Sequence, residues 1–353
     1  MQEHLNIVIL ITAITFYNSL RSRHYLKRQA IVPPQLSSWS YLYKNADESS
    51  FLHLTGYSRC AFENLKGILF EGVEYNTTGR PELLDHAGKL GLYLFFVGST
   101  MEIKYLCSQF GILEGTASTI IKSMCELVIK KLKSRPESSI TWPNEDKMQE
   151  WAELVRLREP LTRNVIGFVD GLALHVQCSE DIEEQAAAHN GHYKDSMCNN
   201  VLAFSPEGKV FYAAINYPGS WHDSQVCQKL IALVILTIGI FQLCVDKGFP
   251  RSGELFDKFV GPLSNETKQK LSPINRDAII AQHEIYVSLR QASEWGMRAL
   301  QGTFSRLKTR LTSDKKKRRD IILSIILLHN FRTHEVGLNQ IATVFNPEFF
   351  SKN

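Results

Sequence analysis

Residues 164–177 read NVIGFVDGLALHVQ, and this stretch decides the class of fold. The apolar run that ends at Val169 is typical of a buried strand, and residues 172–177 predict a second strand. Between the two stand Asp170, an acid at the end of a strand, and Gly171, which lets the chain bend away. We therefore expect a sheet that presents a carboxylate where its first strand ends.

The residues that follow predict a mixed α/β domain. Two strands, 200–204 and 209–215, flank the turn residues SPEG (205–208) and indicate a hairpin. A helix is expected from about Ser224, then a strand that ends at Val245, then a helix over about 282–308. A strand cluster followed by alternating strands and helices predicts one α/β domain over residues 161–335.

The residues before this domain predict all-α structure. In residues 51–135 the turn GILEG (111–115) separates a short helix from a long one, which is the helix-turn-helix outline. The long helix carries Lys122 and Lys130, as a helix lying against phosphates would. An ordinary helical bundle with a solvated lysine face fits the pattern equally well. The other segments are interpreted as an N-terminal helix and basic linker (1–50), a linker (136–160) and a C-terminal tail (336–353).

The composition excludes several classes of protein. The chain has 353 residues, of which 44% are hydrophobic, 22% charged and 10% aromatic. These values exclude disorder, a collagen helix and a coiled-coil rod. The seven cysteines show no metal-binding spacing and are odd in number, which favours a reduced, intracellular compartment.

The first residues form an apolar run, LNIVILITAITFY (5–17). The run is shorter than the ~20 apolar residues that a membrane span requires, and it lacks the basic start of an export signal. We expect a buried helix here, with a membrane or targeting role as the alternative.

The net charge of +4 hides an uneven distribution. Residues 21–28, 115–135 and 298–319 carry net charges of +4, +4 and +8, so the rest of the chain is acidic. Such basic segments favour a nucleic acid partner. The run KKKRR (315–319) fits phosphate contacts or a nuclear localisation signal, and a solvated charged loop is its other interpretation.

Four acids stand at positions from which they can converge: Asp170, Asp223, Asp246 and Glu294. The three aspartates follow predicted strands, and the glutamate lies in a predicted helix. Side chains at neighbouring strand ends project over the same sheet edge. Several unpaired carboxylates in one place are costly unless a cation neutralises them, and oxygen ligands favour Mg²⁺ or Mn²⁺. Two such ions suit phosphodiester chemistry.

Each acid also has a purely structural interpretation. Asp170 and Asp246 fit turns, because aspartate is common directly after strands. Asp223 fits the cap of the following helix. Glu294 fits an ion pair with Arg290 or Arg298, one helical turn away on either side.

Taken together, five motifs strongly resemble the PIF/Harbinger transposase-derived nuclease family of DDE superfamily endonucleases, whose domain is the DDE transposase type 4 domain. The motifs are DG (170–171), PGSWHD (218–223), DKGFP (246–250), RQASE (290–294) and LLHNF (327–331). The resemblance covers about residues 160–332 and is weaker in the helical region before them. The 48 positions from Asp246 to Glu294 are generous for the family, which implies an enlarged loop.

The resemblance implies an RNase H-like fold with Asp170, Asp223 and Glu294 as the DDE triad and Asp246 as a fourth carboxylate near the metal ions. In the family pattern a histidine precedes the second aspartate, and a tyrosine/lysine segment, here NGHYK (190–194), precedes the hairpin. From these motifs and from the charge, the residues expected to contact DNA are Lys122, Lys130, Lys194, His222, Arg290, Arg298, Arg306, Lys308 and Arg310. His222 and Lys194 also fit a helix start and a solvated lysine.

The implied function is a nuclear, Mg²⁺- or Mn²⁺-dependent DNA endonuclease and transposase, with two metal ions in its site. Transposon ends and target DNA would be its substrates, a homo-oligomer its working form, and a Myb/SANT-like DNA-binding protein a candidate partner, with no membrane association. A domesticated descendant that binds DNA or chromatin without cutting it is the alternative. A membrane-tethered hydrolase is the least favoured interpretation.

Overall fold

The computed structural model describes residues 2–21, 26–73, 82–162, 164–263, 274 and 276–346. Its strands are β1 (Val165–His175), β2 (His189–Asn190), β3 (Asp195–Phe204), β4 (Val210–Pro218), β5 (Gln242–Val245) and β6 (Phe259–Val260). Its α-helices are α1 (Gln2–Arg21), α2 (Ser38–Asn45), α3 (Glu48–Thr55), α4 (Arg59–Phe70), α5 (His86–Gly98), α6 (Ile103–Phe110), α7 (Glu114–Leu132), α8 (Glu145–Arg158), α9 (Ile182–Ala188), α10 (Asp223–Val226), α11 (Gln228–Thr237), α12 (Arg276–Thr303), α13 (Lys315–Glu335) and α14 (Gln340–Phe345).

The six strands form one mixed sheet. β3 is antiparallel to both β1 and β4, β5 is parallel to β1, and β6 is parallel to β5. The short β2 pairs with the start of β3. The resulting order β4-β3-β1-β5-β6, with a three-stranded antiparallel half and a parallel half, is the RNase H-like arrangement. The predicted fold class and the predicted hairpin are confirmed.

The central strand differs from its prediction. β1 is one strand of 11 residues, whereas the sequence predicts two strands separated by a bend at Gly171. Asp170 and Gly171 pair with Leu202 and Val201 of β3, so the ladder continues through the acid. Asp170 therefore lies inside the strand.

Apolar clusters cover both faces of β1, which explains why its sequence is almost continuously apolar. Phe168 packs into one cluster, and Ile166 and Val169 pack into the other. Helices α12 and α13 share the first cluster with α2–α7, while α8 and α11 supply side chains to the second. Helices thus lie on both sides of the strand that carries Asp170.

The helical region packs directly on the sheet domain through α13. Tyr57 donates a hydrogen bond to the carbonyl of Leu328 over 2.9 Å, and the hydroxyls of Tyr93 and Ser324 lie 2.5 Å apart. Gly111 ends α6 with a φ of 68°, which opens the predicted turn before α7. The helix, turn and helix expected over residues 103–132 are therefore present, and α7 packs against α13.

Two segments outside the predicted domains contain helices. The segment 136–160, interpreted from sequence as a linker, includes α8, which packs on β1 through Met148 and Trp151 among other residues. The predicted tail includes α14, and its Phe345 ring lies 5.1 Å from the ring of Phe168 in β1. Residues 347–353 lie outside the described part of the chain.

The prediction of a buried N-terminal helix is wrong. The helix forms as α1, but the apolar side chains described along it, from Ile7 to Tyr17, are exposed, with Phe16 at 64%. In the described part of the chain, no helix is long and apolar enough to cross a membrane.

Candidate active site

Asp170 is the most buried of the four predicted acids. Its Oδ1 accepts a hydrogen bond of 2.8 Å from the backbone N–H of Gly171, and Ser293 of α12 places its hydroxyl 3.4 Å from Oδ2. Burial raises the pKa of Asp170 to about 6, and the negative charges of Asp246 and Asp223 add to the rise. A carboxylate held this way is costly to ionise without a nearby cation.

Asp223 lies against the same part of β1. A Cβ on Gly171 would come within 2.6 Å of Asp223 Oδ1, and one on Gly248 within 3.4 Å of Oδ2. Burial raises the pKa of Asp223, as does the charge of Asp246. Asp223 does not cap the helix, because α10 begins at Asp223 itself and its N-cap is His222.

Arg290 joins the other two acids. Its Nε lies 3.1 Å from Asp246 Oδ1, and its Nη2 lies 3.0 Å from Glu294 Oε1. The pairing of Glu294 with Arg290 across one helical turn, which the sequence offers as a structural alternative, is therefore present. All three side chains are 36–46% exposed, so the ion pairs stabilise the fold only weakly. Arg290 thus shares its single positive charge between two of the four acids.

The four acids form two pairs that differ in how well they suit a metal ion: Asp170 with Asp223, and Asp246 with Glu294. Among the described residues, no group of three or more His, Cys, Asp or Glu side chains is placed to hold a metal ion. Mg²⁺ is commonly bound through one or two carboxylates, with water and substrate phosphate completing its shell. Asp170 and Asp223 suit that role, since both are largely buried and both have a raised pKa. Asp246 and Glu294 already share the guanidinium of Arg290.

Several of the predicted DNA contacts are exposed side chains. Lys194, which has a φ of 52°, and His222 lie on loops beside the acids, and Arg298 lies one turn beyond Glu294. Lys122 and Lys130 are exposed on α7, and Lys308 is exposed after α12. All six of these basic side chains are therefore accessible to a ligand such as DNA.

Three other basic side chains form contacts within the fold. Arg306 lies over the Phe96 ring and donates hydrogen bonds of 2.8 and 2.6 Å to the carbonyls of Phe96 and Met101, which ties the helical region to the end of α12. Arg310 donates two bonds of 2.9 Å to the carboxylate of Asp195. In the KKKRR run, Arg318 is 7% exposed and donates to Asn216 and to two loop carbonyls.

Sequence reasoning missed Ser293 and gave Gly171 a different role from the one it has in the site. Gly171 makes room for the Asp223 carboxylate, and Ser293 contacts Asp170 from the facing helix. Both stand next to a predicted acid, Asp170 or Glu294, and that adjacency was the available signal. The LLHNF motif is structural, since all five of its side chains are buried.

Part of the chain is similar in sequence to a known protein family, and the match includes the residues of the site. Residues 169–330 match the family model described as DDE superfamily endonuclease. No curated protein matches the chain. Similar solved structures include a Mos1 transposase paired-end complex with left transposon end, at 11% identity over 84% of this chain and 96% of that one, with a TM-score of 0.20. Another is the Mos1 mariner paired end complex with Mn, at 12% identity over 86% and 99%, also with a TM-score of 0.20.

The matched residues begin one position before Asp170 and include all four acids. They also include the LLHNF motif up to Asn330, and so the sheet from Val169 of β1 onward together with α12. Residues 169–330, slightly less than half of the chain, are therefore similar to the DDE superfamily of endonucleases.

Proposed function

We propose that the chain is a metal-dependent DNA endonuclease and transposase of the PIF/Harbinger type. One observation carries the proposal: Asp170 and Asp223, which are 53 positions apart, both place their carboxylates against Gly171 of β1. Burying two like charges together disfavours ionisation of both. A divalent cation between the two carboxylates would offset this repulsion, and it could also bind a phosphate of the substrate.

The residues of the site have separable roles in this proposal. Asp170 and Asp223 would hold a divalent cation, Mg²⁺ or Mn²⁺. This cation would be one of two in the site. Bound there, such ions activate a water or a 3′-hydroxyl and stabilise the leaving oxygen. Glu294 completes the triad, with Asp246 beside it as a fourth carboxylate. Arg290 holds these two in place through its ion pairs.

The exposed basic side chains suit a phosphate backbone. Arg298 continues the helix that carries Glu294, and Lys194 and His222 flank the loops next to Asp223. Contacts of this kind give affinity that falls as salt rises. The proposal includes transposon ends and target DNA as substrates, action in the nucleus as a homo-oligomer, and a Myb/SANT-like protein as partner.

A domesticated protein that binds DNA or chromatin without cutting it is the second candidate. The observation that favours it is the position of Arg290. Because its guanidinium pairs with both Asp246 and Glu294, these two carboxylates have a cationic partner within the fold without a metal ion. A silent site of this kind would keep the fold and the basic surface.

Nicking of supercoiled plasmid by the purified full chain tests the proposal. We expect Mg²⁺-dependent nicking by the wild type and loss of at least ~100-fold in Asp170→Asn and Asp223→Asn, because both carboxylates contact the metal ions. Asp257→Asn is the matched control, since Asp257 is an exposed acid of the same domain outside the site.

The result separates the two candidates. Wild-type nicking no faster than that of Asp170→Asn, in either Mg²⁺ or Mn²⁺, rejects the nuclease. A chain that retards DNA in a gel yet never nicks it supports the silent DNA-binding protein instead.

A further inference from the structure

An open groove of about 430 Å³ adjoins the carboxylate site, and its size falls within the ~300–1,000 Å³ range of ligand pockets. Asp223 lines it. The rest of the wall comes from β1, from Asn199 of β3 and from two segments, residues 190–193 and 219–222. A ligand in the groove would therefore lie directly beside the acids.

Two large aromatic side chains line the groove and are exposed. Tyr193 is 53% exposed and Trp221 is 39% exposed. Aromatic rings of this size normally bury most of their surface in a monomeric protein, so two of them in one open groove suggest a flat, apolar ligand. Tyr217, a residue of β4, packs against the indole of Trp221, with 5.5 Å between the ring centroids.

Asparagine side chains hold both loops in position. Asn190 donates to the carbonyl of Gly219 over 2.7 Å and accepts from the backbone N–H groups of His192 and Tyr193. Asn199, in β3, donates to the carbonyl of Trp221 over 2.6 Å. The walls of the groove are therefore built by specific hydrogen bonds before any ligand arrives.

Asn199 also leaves one polar atom without a partner. The residue is 7% exposed and lines the groove, and its Oδ1 accepts no hydrogen bond from any described residue. A buried acceptor without a donor destabilises the free protein. A ligand that carries N–H groups at its edge would remove this cost.

The charge of the groove distinguishes its ligand from a phosphate. No lysine or arginine is among the described residues that line it. Apart from the carboxylate of Asp223, the polar side-chain groups are amides, hydroxyls and histidine rings, which suit the edges of a base. The nearest basic residue along the chain is Lys194, which is exposed directly after Tyr193 and suits the backbone outside the groove.

We propose that this groove holds a single unstacked nucleobase of the DNA strand bound at the acids, stacked on Trp221 and Tyr193. The inference rests on the proposed function, because it takes the ligand of the chain to be DNA. A base held here would fix the strand beside Asp223 and so place the phosphate to be cut.

The test measures binding of the full chain to short fluorescent single strands in EDTA. One strand is an oligothymidylate, and the other has the same sugar-phosphate backbone with every site abasic. We expect the wild type to prefer the thymidylate, and we expect Trp221→Ala and Tyr193→Ala each to weaken that binding about tenfold. Neither variant should change binding to the abasic strand.

Two controls separate stacking from misfolding. Trp221→Phe keeps an aromatic ring and should retain most of the affinity. Tyr41→Ala removes a 73% exposed tyrosine from α2, far along the chain from the groove, and should bind both strands as the wild type does.

Equal binding of the two strands by the wild type, no binding at all, or equal losses on both strands in the variants would overturn the groove proposal. Because the assay contains no divalent ion, its result is independent of cleavage. If the variants show the base-dependent loss but the wild type never nicks plasmid, the groove proposal stands and the nuclease proposal fails. If the wild type nicks plasmid but binds the two strands equally, the nuclease proposal stands and the groove proposal fails.

Discussion

The carboxylate of Asp223 occupies the space that a side chain at Gly171 would fill, with only 2.6 Å between its Oδ1 and the position of a Cβ there. Gly171 also donates its backbone N–H to Asp170. One glycine in the central strand therefore brings the first two acids together, by orienting one and making room for the other.

Gly171→Ala should displace the Asp223 carboxylate, because a contact of 2.6 Å is too short for any real Cβ. Since an error of about 1 Å in the position of a catalytic group costs about 100-fold, we expect plasmid nicking to fall by about 10- to 100-fold. The chain should stay folded, because the carboxylate and not the backbone has to move.

Gly67→Ala is the matched substitution. No atom lies within 4 Å of a Cβ at this position in α4, so nicking should be unchanged and stability slightly higher. Full nicking activity in Gly171→Ala would mean that catalysis does not need Asp223 where the structure places it.

Asp170 should make the metal-free protein less stable as pH rises. Its pKa is about 6 in the fold against an ordinary value of 3.8, so between these values the folded chain keeps a proton that the unfolded chain has released. The contribution of Asp170 to the free energy of unfolding is fully present below about pH 4 and is lost as the pH rises through about 6. Asp170→Asn removes the charge and should stabilise the chain at pH 8 by on the order of 2 kcal/mol.

Urea denaturation in EDTA at pH 8 and at pH 4.5 measures this effect. The gain from Asp170→Asn should be large at pH 8 and small at pH 4.5, while Asp257→Asn should give no such difference. An equal gain at both pH values would show that burial does not raise the pKa of Asp170.

Arg290 should compete with metal ions for the acids. Its guanidinium contacts Asp246 and Glu294, and its charge also favours the ionised form of Asp170. Removing one positive charge from the site makes the local potential more negative. We therefore expect Arg290→Gln to bind Mn²⁺ about three- to tenfold more tightly, as measured by the electron paramagnetic resonance of free Mn²⁺.

Arg298→Gln serves as the comparison. Arg298 is exposed one turn further along α12 and forms no ion pair with a described residue, so its removal should leave the Mn²⁺ affinity within about twofold. Weaker Mn²⁺ binding in Arg290→Gln would instead mean that Arg290 positions the acids for the metal.

Asn330 should be essential for stability and not for chemistry. It is fully buried in α13, accepts from the N–H of Val210 over 2.7 Å, and donates to the carbonyls of Val210 and Ser139. Asn330→Ala leaves these backbone groups unpaired and should cost about 3 kcal/mol or more in urea denaturation.

Asn64→Ala is its counterpart on the surface. This exposed side chain donates to Glu335, and its loss should change stability by less than about 1 kcal/mol. Equal effects of the two substitutions would contradict the view that the LLHNF motif joins α13 to the hairpin.

Local pattern was enough to predict the hairpin strands, the start of β1 and the strand before Asp246, but not β2 or β6. The hairpin turn at 205–208, the apolar run before Asp170 and the strand before Asp246 each depend on residues within a few positions of one another. The bend predicted at Gly171 was wrong, because the space that this glycine leaves is filled by a residue 52 positions away. Nothing within β1 itself reveals that neighbour.

Basic residues show the same limit. Sequence treats Arg306, Arg310 and Arg318 as a single positive segment, whereas Arg306 contacts carbonyls near α5 and Arg310 contacts Asp195 of β3. The exposure of α1 was likewise hidden, since an apolar run predicts burial only if another element packs against it.

By itself, the sequence determined the α/β class, the helical region before it, the four acids and the uneven charge, because these follow from residue type and short-range periodicity. Only the tertiary structure decided that the carboxylates of Asp170 and Asp223 meet at Gly171, that Arg290 pairs with both Asp246 and Glu294, and that Trp221 and Tyr193 line a groove with Asp223. The physical reason is that burial, charge coupling and cavity shape depend on atoms brought together from distant parts of the chain.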